Sequence, residues 1–231
     1  AYLNNGGKVL ISTSYIDSFS EEMPNLTKVL SEFGLSIGNG LIVEQDNARM
    51  YQNPIYLLPN VSSDSLTNGV YGKSYDYIMM PYAQPILTKE KDGVTLTTLL
   101  TTSEKAYSKT DLNQSSDVKK TEDDAQGPFT VGVKAVKTLA SGEEAQLILY
   151  SSSYLFTESA NQYTMDNNMT LFTNAISTMA GESESISIPT KSMVSTYATV
   201  PTASAVRYGI LLMGILPIGL LAAGIIIWAR R

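Results

Sequence analysis

"PFTVGVKAVKTLASGEEAQLILYSSS", at residues 128–153, is the stretch that decides the fold predicted for this chain. Its first half carries an apolar side chain at every second position, the period of a strand with one buried face. The side chains expected on one face are Phe129, Val131, Val133 and Ala135. Ser141-Gly142 suits a turn, and Leu147–Tyr150 is a short apolar run typical of a buried strand. The stretch therefore predicts a β-hairpin.

The hairpin runs into three serines, Ser151–Ser153, at a place where many α/β enzymes carry a nucleophile. A nucleophilic serine needs a base within hydrogen-bond reach, and the chain contains no His. The G-x-S-x-G elbow is also absent, since the chain has Tyr and Ser around Ser152. A serine–lysine pair stays open in principle. We expect the hydroxyls to satisfy backbone groups at the end of the strand.

The first 60 residues predict an α/β layer. Lys8–Ser12 is a short apolar strand, and Leu41–Val43 and residues 55–61 are two more. Between them, Pro24 suits the first turn of a helix and Gly34 suits its end. The apolar side chains of that helix share one face, and they are Leu26, Val29, Leu30 and Phe33.

The rest of the domain predicts more strands and one helix. Residues 75–87 and 93–103 are expected to be strands around a turn, and residues 108–127 a solvated loop. Asn167 and Asn168 can cap a helix that ends at Gly181. The apolar residues expected on this helix are Leu171, Phe172, Ala175, Ile176 and Met179, and a last strand is expected at residues 185–189.

Composition excludes several kinds of site. Without Cys there is neither a disulfide nor a thiolate zinc site, and without His there is no Ser-His-Asp triad. No phosphate-binding glycine motif occurs. The carboxylate pairs Glu21-Glu22, Asp123-Asp124 and Glu143-Glu144 are expected in solvated turns and loops. We therefore predict no enzymatic activity and no cofactor or metal.

The charge is unevenly distributed. Residues 1–190 hold all 22 carboxylates and 12 basic side chains, a net charge of −10, whereas the remainder carries Lys191 and three Arg. Phosphates would be repelled by such an acidic domain, so we expect no nucleic acid as a partner.

"GILLMGILPIGLLAAGIIIW", at residues 209–228, has no charged side chain over twenty residues. At about 1.5 Å per residue it spans about 30 Å, the thickness of the hydrocarbon core of a bilayer. Tyr208 and Trp228 bracket it as interfacial aromatic residues. Arg230 and Arg231 follow it and Arg207 precedes it, which favours a cytoplasmic C-terminus and an acidic domain outside the cell membrane. The lipid bilayer is thus an expected partner.

Two features within the span could matter for packing. Pro217 lies near its middle and can kink the helix. Gly219 and Ala223 are four residues apart, a small-xxx-small pair that could seat a partner helix.

The expected organisation is an extracytoplasmic α/β domain at residues 1–190, a linker at 191–207, a transmembrane helix at 208–228 and a basic cytoplasmic end at 229–231. "YLNNGG", at residues 2–7, predicts the end of a helix. We therefore expect the N-terminal part of the domain to lie upstream of this chain.

The order of "GGKVLIS", "SEFGLSIGNGLIVEQD", "GPFTVGVKAV", "LILYSSSYLF" and "NNMTLFTNAISTMAGESESISIP", followed by an anchor ending in "WARR", resembles the GldG-like auxiliary subunits of ABC-type transport systems. The resemblance implies a module related to intraflagellar-transport proteins. It also implies a partial flavodoxin or glutamine-amidotransferase-like fold without catalytic residues, and ABC permease and ATPase subunits as partners. Where the family often has Gly-Asp-Ser-Asp-Phe, this chain has Tyr150-Ser151-Ser152-Ser153-Tyr154, so a role of those carboxylates does not transfer.

The function predicted on this basis is a non-enzymatic, membrane-anchored accessory component of an ABC transporter. Two alternatives stay open. One is a cell-surface adhesin or wall-associated protein, and the other is a membrane-tethered hydrolase that uses Ser and Lys or paired acids.

Overall fold

The computed structural model of the chain describes residues 1–112, 119–181 and 202–230. The strand predicted at residues 185–189, most of the predicted linker and Arg231 lie outside these described residues. The α-helices are α1 (Phe19–Glu22), α2 (Pro24–Glu32), α3 (Glu158–Tyr163), α4 (Asn167–Ala180), α5 (Thr202–Ile210) and α6 (Leu216–Ala229). Short 3-10 helices cover Leu3–Asn5, Ser65–Thr67 and Ser153–Phe156.

Thirteen strands are found in the described part of the chain. They are β1 (Lys8–Ser12), β2 (Leu35–Ile37), β3 (Leu41–Val43), β4 (Met50–Tyr51), β5 (Asn53–Leu57), β6 (Asn60–Val61), β7 (Met80–Pro81), β8 (Ile86–Thr88), β9 (Val94–Thr101), β10 (Tyr107–Lys109), β11 (Ala125–Gln126), β12 (Thr130–Thr138) and β13 (Glu144–Tyr150). The predicted strands at Lys8–Ser12 and Leu41–Val43 and the helix from Pro24 to the left-handed Gly34 are confirmed.

The predicted hairpin is confirmed and forms the middle of a curled seven-stranded sheet. β12 and β13 are antiparallel, with Val133 opposite Leu149, and the turn contains Gly142 in the left-handed region. β13 also pairs with β1, and this pair is parallel. β12 pairs on its other side with both β8 and β9, whereas β2 and β6 extend the sheet beyond these two strands.

The predicted flavodoxin or glutamine-amidotransferase-like layer is not seen. Among the strand pairs of the described residues, β1–β13 is parallel and the others are antiparallel. A doubly wound fold needs a mostly parallel sheet with crossover helices. The chain is therefore a mixed α/β protein with a curled sheet and a C-terminal apolar helix.

Two smaller three-stranded sheets flank the central one. β3, β10 and β11 form the first, and β4, β5 and β7 form the second. The prediction of a solvated loop at residues 108–127 is therefore wrong for part of that range. Lys109 lies in a buried strand, and its ammonium pairs with the Asp124 carboxylate at 3.2 Å, with both side chains buried.

Two apolar cores lie on opposite faces of the central sheet. One contains Val131 and Ile148 beneath α4, and the other contains Val133 and Leu149 beneath α1 and α2. The prediction that Phe129, Val131, Val133 and Ala135 share a face is therefore wrong. Register shifts on either side of Gly132 mark a β-bulge in β12, and an extra residue moves the following side chains to the other face.

The C-terminal helix runs from Ser204 to Ala229 as a candidate membrane span of 26 residues, long and apolar enough to cross a bilayer. It begins earlier than predicted, because residues 202–207, which belong to the predicted linker, are helical. Residues 211–215 form a π-helical turn between α5 and α6.

Candidate functional site

The serines after β13 have structural partners. The Ser151 hydroxyl donates to the Val131 carbonyl at 3.4 Å, and the Ser152 hydroxyl donates to the Pro81 carbonyl; both serines are buried. The Ser12 hydroxyl in turn donates to the Ser152 carbonyl at 2.7 Å. The prediction that the hydroxyls satisfy backbone groups is thus confirmed for Ser151 and Ser152, where the carboxyl ends of β1 and β13 meet. It is wrong for Ser153, whose hydroxyl bonds the Ser14 hydroxyl at 2.7 Å.

The predicted carboxylate pairs differ in their exposure to solvent. Across residues 1–112, 119–181 and 202–230, no group of three or more acidic side chains is placed to hold a metal ion. Glu21-Glu22 and Glu143-Glu144 are exposed, as predicted, but Asp124 is buried. Burial alone would raise the pKa of Asp124; hydrogen bonds from Thr121 and Thr110 and the Lys109 ammonium outweigh that effect and lower it.

Sequence reasoning did not find a buried carboxylate at Glu44. It accepts the Ser103 hydroxyl at 2.6 Å and the backbone N–H groups of Ser103 and Asp46 at 3.2 and 2.8 Å. With its oxygens engaged in this way, Glu44 joins the loop after β3 to the loop after β9 and serves structure.

A cluster of aromatic rings marks a different surface. The Tyr82 ring lies between those of Tyr56 and Tyr154, with centroids 5.8 and 5.1 Å away. The rings of Tyr51 and Tyr163 are 4.9 Å apart. We call the seven tyrosines of this region the tyrosine surface, and they are Tyr51, Tyr56, Tyr75, Tyr77, Tyr82, Tyr154 and Tyr163. Aromatic pairs at such separations stabilise one another beyond their burial.

The small sheet of β4, β5 and β7 positions this surface. Tyr56 is opposite Pro81, and Leu57 is opposite Met80. Because side chains alternate between faces, Leu57 and Met80 point into the main core while Tyr56 points away from it. On the outward side, Tyr51, Tyr77 and Tyr163 pack around a small cluster of Leu58, Met79 and Ala160.

Backbone strain concentrates around the same surface. Within the described ranges, five non-glycine residues have positive φ, and four belong to or adjoin this surface: Gln52, Tyr82, Met165 and Asp166. Tyr82, at φ 56°, is the most unusual, since a bulky residue rarely adopts this conformation. Such strain costs about 1–3 kcal/mol per residue and occurs preferentially at functional sites.

Three of these tyrosines, Tyr51, Tyr77 and Tyr82, have a raised pKa and keep their protons at neutral pH. The hydrogen bond with Tyr56, followed by burial, raises the pKa of Tyr82. Burial raises the pKa of Tyr51 and of Tyr77, with smaller contributions from Tyr163 and Asp76 respectively. These three residues therefore present neutral rings with hydroxyl groups.

Sequence reasoning missed this surface because its members lie in four separate segments between Tyr51 and Tyr163. The available signal was compositional, since the chain has 14 Tyr but 5 Phe and one Trp. Tyr is enriched in protein interfaces.

The predicted anchor residues lie on one helix. Tyr208 and Trp228 are 65% and 81% exposed near its two ends, and Arg230 closes it. Gly219 and Ala223 are open on its surface, with no contact from the rest of the described chain at Gly219.

Pro217 does not end the helix. The Leu216 N–H, just before it, donates to the Leu211 carbonyl five residues back, which is a π-helical bond. Because proline has no N–H and its ring crowds the carbonyl four residues back, the helix widens here and continues.

Comparison with known proteins changes the family prediction. No family model matches the chain, and no curated protein matches it. Its fold is similar to a solved structure of the mmIFT52 N-terminal domain, an intraflagellar transport protein, with a TM-score of 0.51 and 13% identity over 81% of this chain and 70% of that one. At that identity the likeness shows the fold alone. The predicted membership of the GldG-like subunits is therefore wrong, because no GldG or ABC-related family was found.

Proposed function

We propose that this protein is a membrane-tethered, non-enzymatic binding protein whose tyrosine surface contacts a partner protein. The observation that carries the proposal is the cluster of the Tyr56, Tyr82 and Tyr154 rings, held on the outward face of a small sheet by a left-handed Tyr82. Tyr provides a large, stiff contact area with a polar tip, at a low cost in conformational entropy.

The charge of the domain indicates what such a partner presents. Residues 1–190 carry 22 acidic and 12 basic side chains, a net charge of −10. Near the tyrosine surface, Asp76 precedes Tyr77 and Glu158 begins α3, the helix that carries Tyr163. An acidic surface attracts a basic partner, and guanidinium groups stack on aromatic rings better than ammonium groups do. The proposed partner is therefore a protein segment rich in arginine.

Two synthetic peptides of equal length, one alternating Gly with Arg and one alternating Gly with Lys, test this. They are titrated against the full chain in lipid nanodiscs at low and physiological salt. We expect the arginine peptide to bind about fivefold more tightly, since one stacked guanidinium contributes about 1 kcal/mol. Tyr82→Ala combined with Tyr154→Ala should abolish the difference.

Tyr2→Ala is the matched control. Tyr2 is 68% exposed, precedes β1 and is not part of the tyrosine surface. It should leave both affinities unchanged. Equal binding of the two peptides contradicts the proposal. So does a Tyr2 variant that loses as much affinity as the variant lacking both Tyr82 and Tyr154.

The proposed orientation places the domain outside the cell and the C-terminus in the cytoplasm, on the basis of Arg230 and Arg231. The chain has no Cys, so a maleimide reacts only with the cysteine that is introduced, and the reaction shows on which side of the membrane that cysteine lies. Ser141→Cys, in the exposed β12–β13 turn, should react with an impermeant maleimide in intact cells. Ala229→Cys should react after permeabilisation, and the reverse result contradicts the orientation.

The narrower prediction of ABC permease and ATPase partners rested on the GldG-like resemblance and is not part of this proposal. The hydrolase alternative is disfavoured by the engaged hydroxyls of Ser151 and Ser152. The adhesin alternative shares the same surface, and it differs in requiring a partner outside the cell's own membrane.

A further inference from the structure

Helix α4 is apolar on two sides. Leu171 and Ala175 are fully buried against the central sheet. On the outward side, Met169, Phe172 and Ile176 are 43%, 38% and 46% exposed. Neighbouring large apolar side chains that are exposed together indicate an interaction site, whereas single exposed apolar residues are common on any surface.

The spacing of the outward row fits a second helix. Met169, Phe172 and Ile176 follow one another at intervals of three and four residues, the a/d pattern of a helix–helix seam. The Phe156 ring contacts the Phe172 ring edge to face, with centroids 5.3 Å apart, and supports the row from the side. We refer to these three residues of α4 as the α4 seam.

The charge of α4 narrows the choice between a protein and a lipid surface as its binding partner. None of the 14 residues of α4 is ionisable. Helices that lie on lipid surfaces carry Lys or Arg beside their apolar face, whereas the charged residue at the start of α4 is Asp166, the residue just before the helix. Lys8 donates to the Thr178 carbonyl at 3.3 Å, and Thr178 lies on the side of the helix opposite the seam. A bilayer is therefore a poor fit.

We propose that the α4 seam binds the α4 seam of a second copy of this chain. A neutral seam is where two acidic domains can meet without placing carboxylates opposite each other, and an a/d row is complementary to itself across a two-fold axis. A seam of one 14-residue helix is smaller than the interface of a stable soluble dimer, about 800 Å² per partner. The membrane span compensates for the small interface area, because tethering both copies in one bilayer raises their effective concentration.

Disulfide cross-linking of the full chain in liposomes tests the contact, since the chain has no Cys of its own. Phe172→Cys and Ile176→Cys place a thiol in the seam. Thr170→Cys lies on the same helix, about 160° from Phe172 and about 120° from Ile176, and packs toward Gly69, whereas Ser141→Cys lies in a distant exposed turn. The seam variants should form covalent dimers about tenfold faster than both controls. Equal rates at all four positions, or none at the seam, overturn the proposal.

A charge variant gives a second measurement that does not depend on thiols. Ile176→Glu sets like charges opposite each other, so the association constant of the dimer, obtained from the dimeric fraction seen by single-molecule photobleaching, should fall about tenfold, corresponding to about 1.4 kcal/mol. Ser141→Glu adds the same charge elsewhere and should leave the fraction unchanged. An unchanged fraction in Ile176→Glu, or quenching of a bimane label at Ile176→Cys by brominated lipid, overturns the proposal and in the latter case assigns the seam to the bilayer.

Discussion

Asn168 and Met79 bind each other's polar groups in both directions. The Met79 N–H donates to the Asn168 Oδ1 at 3.0 Å, and the Asn168 Nδ2 donates to the Met79 carbonyl at 2.9 Å and to the Leu155 carbonyl at 2.7 Å. Asn168 is fully buried. The side chain of a helical residue thus takes the place of a neighbouring strand and joins α4 to the chain that leads into β7.

Asn168→Ala is expected to destabilise the protein by about 3 kcal/mol or more, because it leaves three buried backbone groups without partners and each such group costs about 1–3 kcal/mol. Chemical unfolding of the full chain in detergent, followed by tyrosine fluorescence, measures this. Asn174→Ala is the control: its amide also donates to two carbonyls, of Leu66 and Asn68, but it is half-buried, so water replaces it. Equal losses in the two variants would show that Asn168 has no special role.

Asp124→Asn should lower the free energy of unfolding by about 3–5 kcal/mol at neutral pH, because it leaves the buried Lys109 ammonium without its partner charge. Asp123→Asn alters the adjacent, exposed carboxylate and should change stability by less than about 0.5 kcal/mol. If both variants behave alike, the Lys109–Asp124 pair is not buried as described.

The effect of Asp124 should depend on pH in one direction. The pKa of Asp124 is lowered in the folded protein, so its contribution is complete above the unfolded value of about 3.9 and is lost as the pH falls toward the folded value. The gap between wild type and Asp124→Asn should therefore narrow below about pH 4. Unfolding curves at a series of pH values measure the gap, and a gap that widens on acidification contradicts the assignment.

Gly34→Ala should be more damaging than Gly72→Ala, although both glycines have positive φ, of 68° and 76°. A Cβ at Gly34 would lie 2.3 Å from the Lys89 carbonyl oxygen, whereas a Cβ at Gly72 meets nothing within 4 Å. Both variants incur left-handed strain of about 1–2 kcal/mol, and Gly34→Ala adds a backbone collision of about 1–3 kcal/mol. Thermal unfolding measures the stability of both variants. Equal losses of stability would contradict the predicted collision between a Cβ at residue 34 and the Lys89 carbonyl.

Tyr82→Gly should be more stable than Tyr82→Ala by about 1 kcal/mol, because both lose the ring and only glycine accepts φ 56° without strain. Both should lose the arginine-peptide preference. An alanine variant at least as stable as the glycine variant would mean that residue 82 is not left-handed.

Several elements followed from local sequence. The β12–β13 hairpin has its turn signal between two strands with suitable apolar patterns, α2 has Pro24 and Gly34 at its ends, and the C-terminal helix has twenty residues without charge. These features depend on neighbours within a few positions, so the periodicity and end signals are contained in the stretch itself.

What the sequence by itself determined, then, was the identity of these elements, including a C-terminal helix long and apolar enough to span a membrane. The tertiary structure decided which faces they present. The bulge at Gly132 directs Val131 and Val133 into opposite cores. Asp124 is buried in an ion pair with a lysine fifteen residues away. The tyrosine surface combines rings from residues 51 to 163. On α4, burial separates Leu171 from Phe172 although both fit the helical pattern. The reason is that strand pairing and burial depend on contacts between distant segments, and a periodic pattern specifies that a face is apolar without specifying what covers it.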